Sequence, residues 1–197
     1  MNLLVGLGNP GARHLNDRHN IGFMALENIA EQYKFSSYHK NKRFYGDLSE
    51  GKVNNKRVIA LKPSTYMNNS GKSVAATSRF YKIPPDKVII IHDELDLKPG
   101  KIKAKFGGGD AGHNGLKSIS EYIGSNYWRV RIGIGKPINK TNTKNYVLSS
   151  FEQHEKEWLA KILGSITTCI PDLLEGDANK FLTKASLTIS NPILSPS

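Results

Sequence analysis

The hydrophobic residues of this chain fall into short uninterrupted runs and longer helical spacings. Three runs of strand-forming residues cover 3–5, 58–61 and 88–91. An uninterrupted apolar run of this length is typical of a strand covered on both faces, as parallel strands are in α/β sheets. Each run leads straight into polar residues, and such sheets carry their functional groups beyond the carboxyl ends of the strands. We therefore expect the three segments that follow these strands to meet in one pocket.

Helical spacing of apolar residues recurs between and after these runs. The segments lie at about 21–30, 74–81, 116–123 and 155–170. Asn20 precedes the first segment and is the predicted N-cap, because its side-chain oxygen is suited to accept a hydrogen bond from the first helical turn. The helices therefore alternate with the strands along the chain.

Other segments predict strands with only one buried face. Residues 44–49 and 57–61 predict the two strands of a hairpin around a polar connection that contains Gly51, Asn54 and Asn55. Residues 101–106 and 128–134 alternate between polar and apolar side chains, which is the period of a half-buried strand. Strands and helices together predict an α/β fold, a single domain with a twisted mixed β-sheet flanked by helices.

The length and composition support one domain. The chain has 197 residues, of which 38% are hydrophobic and 23% charged, enough for one well-buried core. We expect residues 1–185 to form this domain. Residues 186–197 have few apolar side chains to bury, which predicts a flexible C-terminal tail.

The charge points to a partner, and the single cysteine points to a compartment. Lys and Arg outnumber Asp and Glu by 28 to 17, giving a net charge of +11 that favours a polyanion, nucleic acid first. Cys169 has no internal partner for a disulfide, which predicts a reduced, cytoplasmic setting. Neither a membrane span nor a signal peptide is predicted, so we expect no membrane partner.

The basic residues are ordered along the two alternating strands. Lys101, Lys103 and Lys105 share one strand face, and Arg129 and Arg131 share another. Residues two apart on a strand are spaced by about 6.6 Å, close to the phosphate spacing of an extended polynucleotide. Further lysines follow in a predicted polar loop, at Lys136, Lys140 and Lys144. The order predicts a phosphate track, and an ordinary solvated face is the alternative.

A glycine-rich segment after the first strand resembles a dinucleotide-binding fingerprint. Residues 6–11 have the spacing G-x-G-x-x-G. The fingerprint needs a helix that opens at the glycines, but the helical pattern begins only at Ile21. The glycines are better explained by a tight backbone turn beside a ligand.

His19 and Asp93 are the candidate catalytic residues. His19 lies between a polar loop and a helix start, and Asp93 lies at the end of the most apolar strand. A carboxylate that contacts the imidazole holds one tautomer and stabilises the protonated ring, which makes a better general base. The sequence has no G-x-S-x-G elbow and Cys169 lies in a helix, so water is the expected nucleophile.

Three asparagines accompany this pair. Asn9, Asn68 and Asn114 lie in three separate loops. Amide groups both donate and accept hydrogen bonds, so they are suited to position a peptide group or stabilise an oxyanion. The alternative for each is a turn or a helix cap.

A metal-dependent hydrolase is the rival chemistry. Its ligands would come from His19, His92, Asp93, Glu94 and His113. The chain has no H-E-x-x-H or comparably spaced pair, so no metal site is predicted.

These residues together resemble the bacterial-type peptidyl-tRNA hydrolase family. The matching segments are VGLGNPG at 5–11, RHNIG at 18–22, KPSTYMNNSG at 62–71, HDELDL at 92–97, GGG at 107–109, GHNGLK at 112–117 and RVRIGIG at 129–135. In this order and spacing they are highly specific, and the resemblance extends to about residue 184.

The resemblance implies hydrolysis of the ester between a peptide and the terminal ribose of tRNA. It implies that His19 is the general base, that Asp93 stabilises its protonated form, and that Asn9 separates peptidyl from free aminoacyl substrates. It implies substrate contacts at His14, Tyr66, Asn68 and Asn114. It also implies a cytosolic monomer that uses no metal or other cofactor. A non-catalytic RNA-binding module is the alternative that the charge alone supports.

The chain departs from the family pattern at two positions. His14 stands where the family usually has a tyrosine that contacts the tRNA end, and Ala111 replaces a usual glycine. Neither departure removes the proposed base or its partner.

Overall fold

A computed structural model describes residues 1–137 and 142–190, and a seven-stranded mixed sheet runs through this part of the chain. The strands are β1 (Asn2–Gly6), β2 (His39–Asn41), β3 (Gly46–Val53), β4 (Lys56–Pro63), β5 (Val88–Glu94), β6 (Ile102–Phe106) and β7 (Trp128–Gly133). The helices are α1 (Ile21–Gln32), α2 (Ser70–Phe80), α3 (Asn114–Ile123), α4 (Thr143–Val147), α5 (Lys156–Leu174) and α6 (Ala178–Ser190). The predicted α/β class is confirmed.

The centre of the sheet is parallel and its edges are antiparallel. The strand order is β2-β3-β4-β1-β5-β7-β6. β1 pairs in parallel with both β4 and β5, and β5 pairs in parallel with β7. The carboxyl ends of β4, β1 and β5 therefore lie side by side at one edge of the sheet, as the three apolar runs predict.

Each face of the sheet is covered by its own group of helices. Leu4 of β1 belongs to the hydrophobic cluster that α1, α5 and α6 complete, with Ile29, Ile166 and Phe181 fully buried. Leu3 and Val5 belong to the opposite cluster, which α2 and α3 cover. This division explains the uninterrupted apolar runs, because both faces of the central strands are buried.

The start of helix α1 packs so closely on the central strands that the backbones are in contact. A Cβ on Gly6 would lie 2.3 Å from the carbonyl oxygen of Gly22, and one on Gly22 would lie 2.3 Å from the carbonyl oxygen of Ile91. No side chain fits in either place. Gly6 and Gly22 therefore bring the start of α1 directly onto β5, so the role of Gly6 is helix packing.

The predicted hairpin is formed by β3 and β4, with its turn at two asparagines. Asn54 and Asn55 have φ values of 46° and 65°, a left-handed pair typical of two-residue hairpin turns and tolerated well by asparagine. Gly51 lies within β3, where a Cβ would collide with the ring of Phe35. The strands therefore extend further than predicted, and the connection is only Asn54 and Asn55.

The predicted N-cap at Asn20 is wrong in its chemistry. The side chain makes no capping hydrogen bond to α1. Its Oδ1 accepts from the backbone N–H of Asn9 at 2.9 Å, and its Nδ2 donates to the carbonyl oxygen of Asn9 at 2.9 Å. The contact joins two loops of the site, which a local capping rule does not anticipate.

The C-terminal part of the chain holds more helix than the sequence pattern predicts. The predicted tail begins at Ser186, but residues 186–190 are the end of α6. Residues 191–197 lie outside the described residues. α4 lies in the segment predicted as a polar loop. No helix within the described ranges is both long and apolar enough to cross a membrane.

Candidate active site

The ends of the central strands open into one cleft of about 740 Å³. Asn9 follows β1, Tyr66 and Asn68 follow β4, and Asp93 lies at the end of β5. The same cleft is lined by His14, His19, His113 and Asn114 from neighbouring loops and helix starts. The predicted meeting of three strand ends in one pocket is confirmed.

His19 and Asp93 are in direct contact. Nδ1 of His19 lies 2.7 Å from Oδ1 of Asp93. The Asp93 side chain is 2% exposed and that of His19 is 12% exposed, so the carboxylate is sealed and the ring reaches the cleft. Because the carboxylate accepts, Nδ1 carries the proton and Nε2 of the neutral ring holds a lone pair.

His113 is a second donor to the same carboxylate oxygen. Its Nε2 lies 3.1 Å from Oδ1 of Asp93. Its Nδ1 accepts from the backbone N–H of Gly115 at 3.1 Å, which caps the start of α3. These two bonds give His113 the tautomer protonated on Nε2 and tie the start of α3 to Asp93.

The carboxyl of Asp93 is held in its charged form. Burial by itself raises its pKa, but the imidazoles of His19 and His113 outweigh burial, so the pKa of Asp93 lies well below its usual range. His92 on the same strand behaves oppositely: burial, reinforced by His113, lowers the pKa of His92 to about 3. His92 is thus a neutral group.

Hydrogen bonds hold the backbone and the side-chain oxygen of Asn9 in place, and leave its side-chain Nδ2 available. Its Oδ1 accepts from the backbone N–H of Met67 at 3.0 Å, while its own backbone is held by Asn20. Among the described residues its Nδ2 donates to no acceptor. Since Asn9 lines the cleft, this N–H₂ group is a fixed donor toward a substrate.

A buried ion pair supports the turn that carries His19. Nη1 and Nη2 of Arg18 each lie 2.6 Å from one carboxylate oxygen of Glu155. The guanidinium carbon lies 4.6 Å from the centre of the Tyr146 ring and 5.0 Å from that of Phe151. Arg18 therefore anchors the single turn 18–20 to the segment before α5.

The basic strands differ from the prediction. Lys101, Lys103 and Lys105 are exposed as expected. Arg129 is wrongly predicted as an exposed group: it is 2% exposed, and its guanidinium carbon lies 4.4 Å from the centre of the Tyr127 ring. Arg131 is partly buried and donates to Glu94 at 2.9 Å. Lys140, in the predicted polar loop, lies outside the described residues.

Arg129 nevertheless has unused donors. None of its three guanidinium nitrogens has a hydrogen-bond partner among the described residues, although all are buried. Its cross-strand neighbour on β7 and β6 is Lys105. A Cβ on Gly108 would lie 3.0 Å from Nζ of Lys105 and 3.2 Å from Nη1 of Arg129, so both cations approach the glycine-rich loop.

Three of the five residues considered for a metal site lie together. Ligand atoms of His19, Asp93 and His113 all lie within 4.8 Å of one another. His92 and Glu94 do not join them: His92 Nδ1 bonds a backbone carbonyl, and Glu94 accepts from Arg131. The two imidazole contacts to Asp93 have the lengths of ordinary hydrogen bonds.

Comparison with known proteins identifies the family. A family model described as peptidyl-tRNA hydrolase matches residues 3–191. The chain belongs to the peptidyl-tRNA hydrolase family. A relative of that name from Bartonella bacilliformis is 45% identical over 191 residues, covering 97% of this chain and 98% of the relative. One from Dinoroseobacter shibae is 49% identical, covering 98% and 81%.

A solved structure agrees. The crystal structure of peptidyl-tRNA hydrolase from Acinetobacter baumannii has a TM-score of 0.89, 38% identity and 94% coverage of both chains. The peptidyl-tRNA hydrolase fold thus extends over the described sheet and its helices.

Ala111 is a strained position in this member of the peptidyl-tRNA hydrolase family. Its φ is 47°, in the left-handed region. A side chain there costs about 1–2 kcal/mol, which explains why glycine is the expected residue in this loop. Ala111 lines the cleft two residues before His113, so the departure lies next to the site.

Two features of this peptidyl-tRNA hydrolase site were missed by sequence reasoning. The bond from His113 to Asp93 had one available signal, a histidine directly before a predicted helix in a glycine-rich segment. The pair Arg18–Glu155 joins residues 137 apart and has no local signal.

Proposed function

We propose that this chain hydrolyses the ester joining a peptide to the terminal ribose of tRNA, with His19 as the general base. The observation that carries the proposal is the His19 ring, whose Nδ1 is bound to buried Asp93 at 2.7 Å while the ring lines the cleft. Nε2 is then the nitrogen available to water. Membership of the peptidyl-tRNA hydrolase family supports the same reaction.

The proposed proton transfers balance around this ring. Nε2 of His19 takes a proton from water as the water oxygen attacks the ester carbonyl carbon. The charge of Asp93 stabilises the resulting imidazolium. When the bond to the ribose oxygen breaks, the imidazolium returns its proton to that oxygen. The products are the peptide acid and tRNA with a free hydroxyl.

Asn9 is suited to distinguish peptidyl esters from free aminoacyl esters. Its Nδ2 is a donor held by the bonds at Oδ1 and at the backbone. A peptidyl ester presents an amide carbonyl beyond its terminal residue, which accepts from this donor. A free aminoacyl ester presents an ammonium group, which does not accept. We infer that Asn9 favours peptidyl over free aminoacyl esters.

The other cleft residues are proposed substrate contacts. They are Tyr66, Asn68 and Asn114, which line the cleft together with His14. The Tyr66 side chain is 59% exposed, so its ring offers a stacking surface. Asn68 and Asn114 are exposed amides on the turn after β4 and at the start of α3, two elements that contact each other.

One assay tests this function. Purified protein is incubated with N-blocked and with free aminoacyl-tRNA, and release of the acyl group is measured. We expect fast cleavage of the blocked substrate, and Asn9→Ala should narrow the preference by about tenfold, the value of one lost hydrogen bond to a charged or buried group. Binding of tRNA without turnover would instead support the RNA-binding module. Loss of turnover in EDTA would support a metal-dependent reaction.

The exposed lysines of β6 and the guanidinium of Arg129 are proposed contacts for tRNA phosphates. Lys105 and Arg129 approach one another across the β6–β7 pair. Nη2 of Arg129 lies 4.0 Å from Oδ1 of Asp110, an ion pair beyond hydrogen-bond distance. Buried donors without a hydrogen bond are costly, and a phosphate would supply the acceptors that the Arg129 guanidinium lacks. Lys101 and Lys103 extend the same basic strand.

Lys105→Ala should weaken tRNA binding and flatten its salt dependence. On duplex RNA the slope of log affinity against log salt should fall by about 0.9 if one phosphate contact is lost, since each contact releases counterions. The measurement is tRNA affinity between low and moderate salt. Lys52→Ala removes the same charge from an exposed site on β3, near the other edge of the sheet, and should leave the slope unchanged. An equal slope in wild type and Lys105→Ala excludes this residue from the track.

We also propose a cytoplasmic location. Cys169 is a buried free thiol within α5, and burial raises its pKa, which keeps it unreactive. A monomeric state stays a prediction.

A further inference from the structure

The cleft holds a second histidine–carboxylate pair that the hydrolytic reaction does not use. Nδ1 of His14 lies 2.6 Å from Oδ2 of Asp17, and the Asp17 side chain is 5% exposed. The backbone N–H of Asp17 also donates to the carbonyl oxygen of His14 at 3.1 Å. Asp17 is itself fixed by a β-bridge to Ser150. His14 is therefore held on a rigid support.

His14 in turn orients the side chain of Arg13. The carboxylate accepts from Nδ1 of His14, so Nε2 of the neutral ring is an acceptor. Nε of Arg13 donates to this Nε2 at 3.0 Å. An otherwise mobile exposed side chain is thereby oriented through one chain of hydrogen bonds, Asp17 to His14 to Arg13.

The end of the Arg13 guanidinium is left for a ligand. Within the described parts of the chain, Arg13 makes no ion pair, and its Nη1 and Nη2 donate to no acceptor. Arg13 and His14 line the same cleft as His19. Two parallel N–H donors match two oxygens of a phosphate group.

We propose that Arg13 binds a phosphodiester of the terminal nucleotides of the substrate, and that His14 and Asp17 are positioning residues that orient it. The inference rests on the proposed function, which brings the ester of the terminal ribose to His19. The neighbouring phosphodiesters are the anionic groups nearest to that ester in every such substrate. His14 thus acts on the substrate through Arg13.

The test compares three esters of one N-blocked amino acid: on tRNA, on the terminal trinucleotide, and on adenosine alone, which has no phosphodiester. Arg13→Gln should raise KM about tenfold for tRNA and trinucleotide, leave kcat within a factor of two or so, and leave the adenosine ester unaffected. Binding of the trinucleotide should also become less dependent on salt, because one charge–charge contact is lost. Arg79→Gln removes an exposed arginine of α2 that lies outside the cleft, and should change none of these values.

His14→Phe tests the positioning role, since it removes the acceptor for Arg13. It should reproduce part of the KM increase in the wild-type background and add nothing in the Arg13→Gln background. Additive effects would place His14 on the substrate directly and overturn its role as a positioning residue.

Two results overturn the phosphate contact: an unchanged KM for the trinucleotide in Arg13→Gln, or an equal increase for the adenosine ester. If the wild-type protein cleaves none of the three esters, the proposed function fails on its own. Equilibrium binding of the uncharged trinucleotide to wild type and Arg13→Gln then decides the phosphate contact separately, with a loss in the variant expected.

Discussion

His19→Ala should lower the turnover of peptidyl-tRNA by about 10³-fold, within the range of about 10²–10⁴ that a positioned general base contributes. The reason is the single lone pair at Nε2, which Asp93 fixes by holding Nδ1 at 2.7 Å. Single-turnover hydrolysis of an N-blocked aminoacyl-tRNA measures the effect. Binding of tRNA should be nearly unchanged, because the role proposed for His19 is in the chemical step at the ester.

The matched control is His39→Ala. His39 is an exposed histidine of β2, at the edge of the sheet, and its loss should leave turnover unchanged. Thermal unfolding of both variants checks that the fold persists. Turnover of His19→Ala within about tenfold of wild type would show that another group takes the proton from water.

Glu155→Gln should destabilise the folded protein by about 3–5 kcal/mol, the cost of leaving one partner of a buried ion pair uncompensated. The group left without its partner is Arg18, which lies close to the rings of Tyr146 and Phe151 and donates to both oxygens of Glu155. Urea denaturation measures the loss. Since a domain of this kind is stable by only about 5–15 kcal/mol, the variant should unfold at markedly lower urea.

The pH dependence of stability identifies the cause. Burial raises the pKa of Glu155, but the bonds from Arg18 outweigh burial and lower it. A carboxyl whose folded pKa is depressed stabilises the protein above its unfolded pKa, about 4.3 for glutamate, and that contribution is lost as the pH falls. Glu155→Gln should remove this part of the acid dependence. Glu157→Gln, which breaks an exposed pair with Lys161, should change neither quantity detectably.

The core of the fold and the central pair of the site follow from local patterns. Uninterrupted apolar runs predict parallel strands buried on both faces, and parallel strands place the residues after them at one edge. That argument brings Asn9, Asn68 and Asp93 together. His19 joins them because a histidine between a polar loop and a helix start stands at the same edge.

Other features depend on contacts that no local pattern encodes. Alternation assigns Arg129 to one face of β7 but does not tell whether that face is covered, and the Tyr127 ring covers it. The end of α6 was missed because only Phe181 and Ala185 of this helix are buried, which is too few for a clear periodicity. Asn20 was assigned a cap from its position before α1. Its actual hydrogen bonds, to the backbone of Asn9 eleven residues earlier, have no local signal in the sequence.

The close contact between Gly6 and Gly22 limits which substitutions the chain tolerates at these two positions. Two residues without side chains set the distance between α1 and the central strands, and His19 and Asp93 lie on the two sides of this contact, before the start of the helix and at the end of β5. A methyl group at Gly6 or Gly22 would push the helix away from the strands and lengthen the 2.7 Å hydrogen bond between His19 and Asp93. These two positions should therefore tolerate little substitution, although neither lines the cleft.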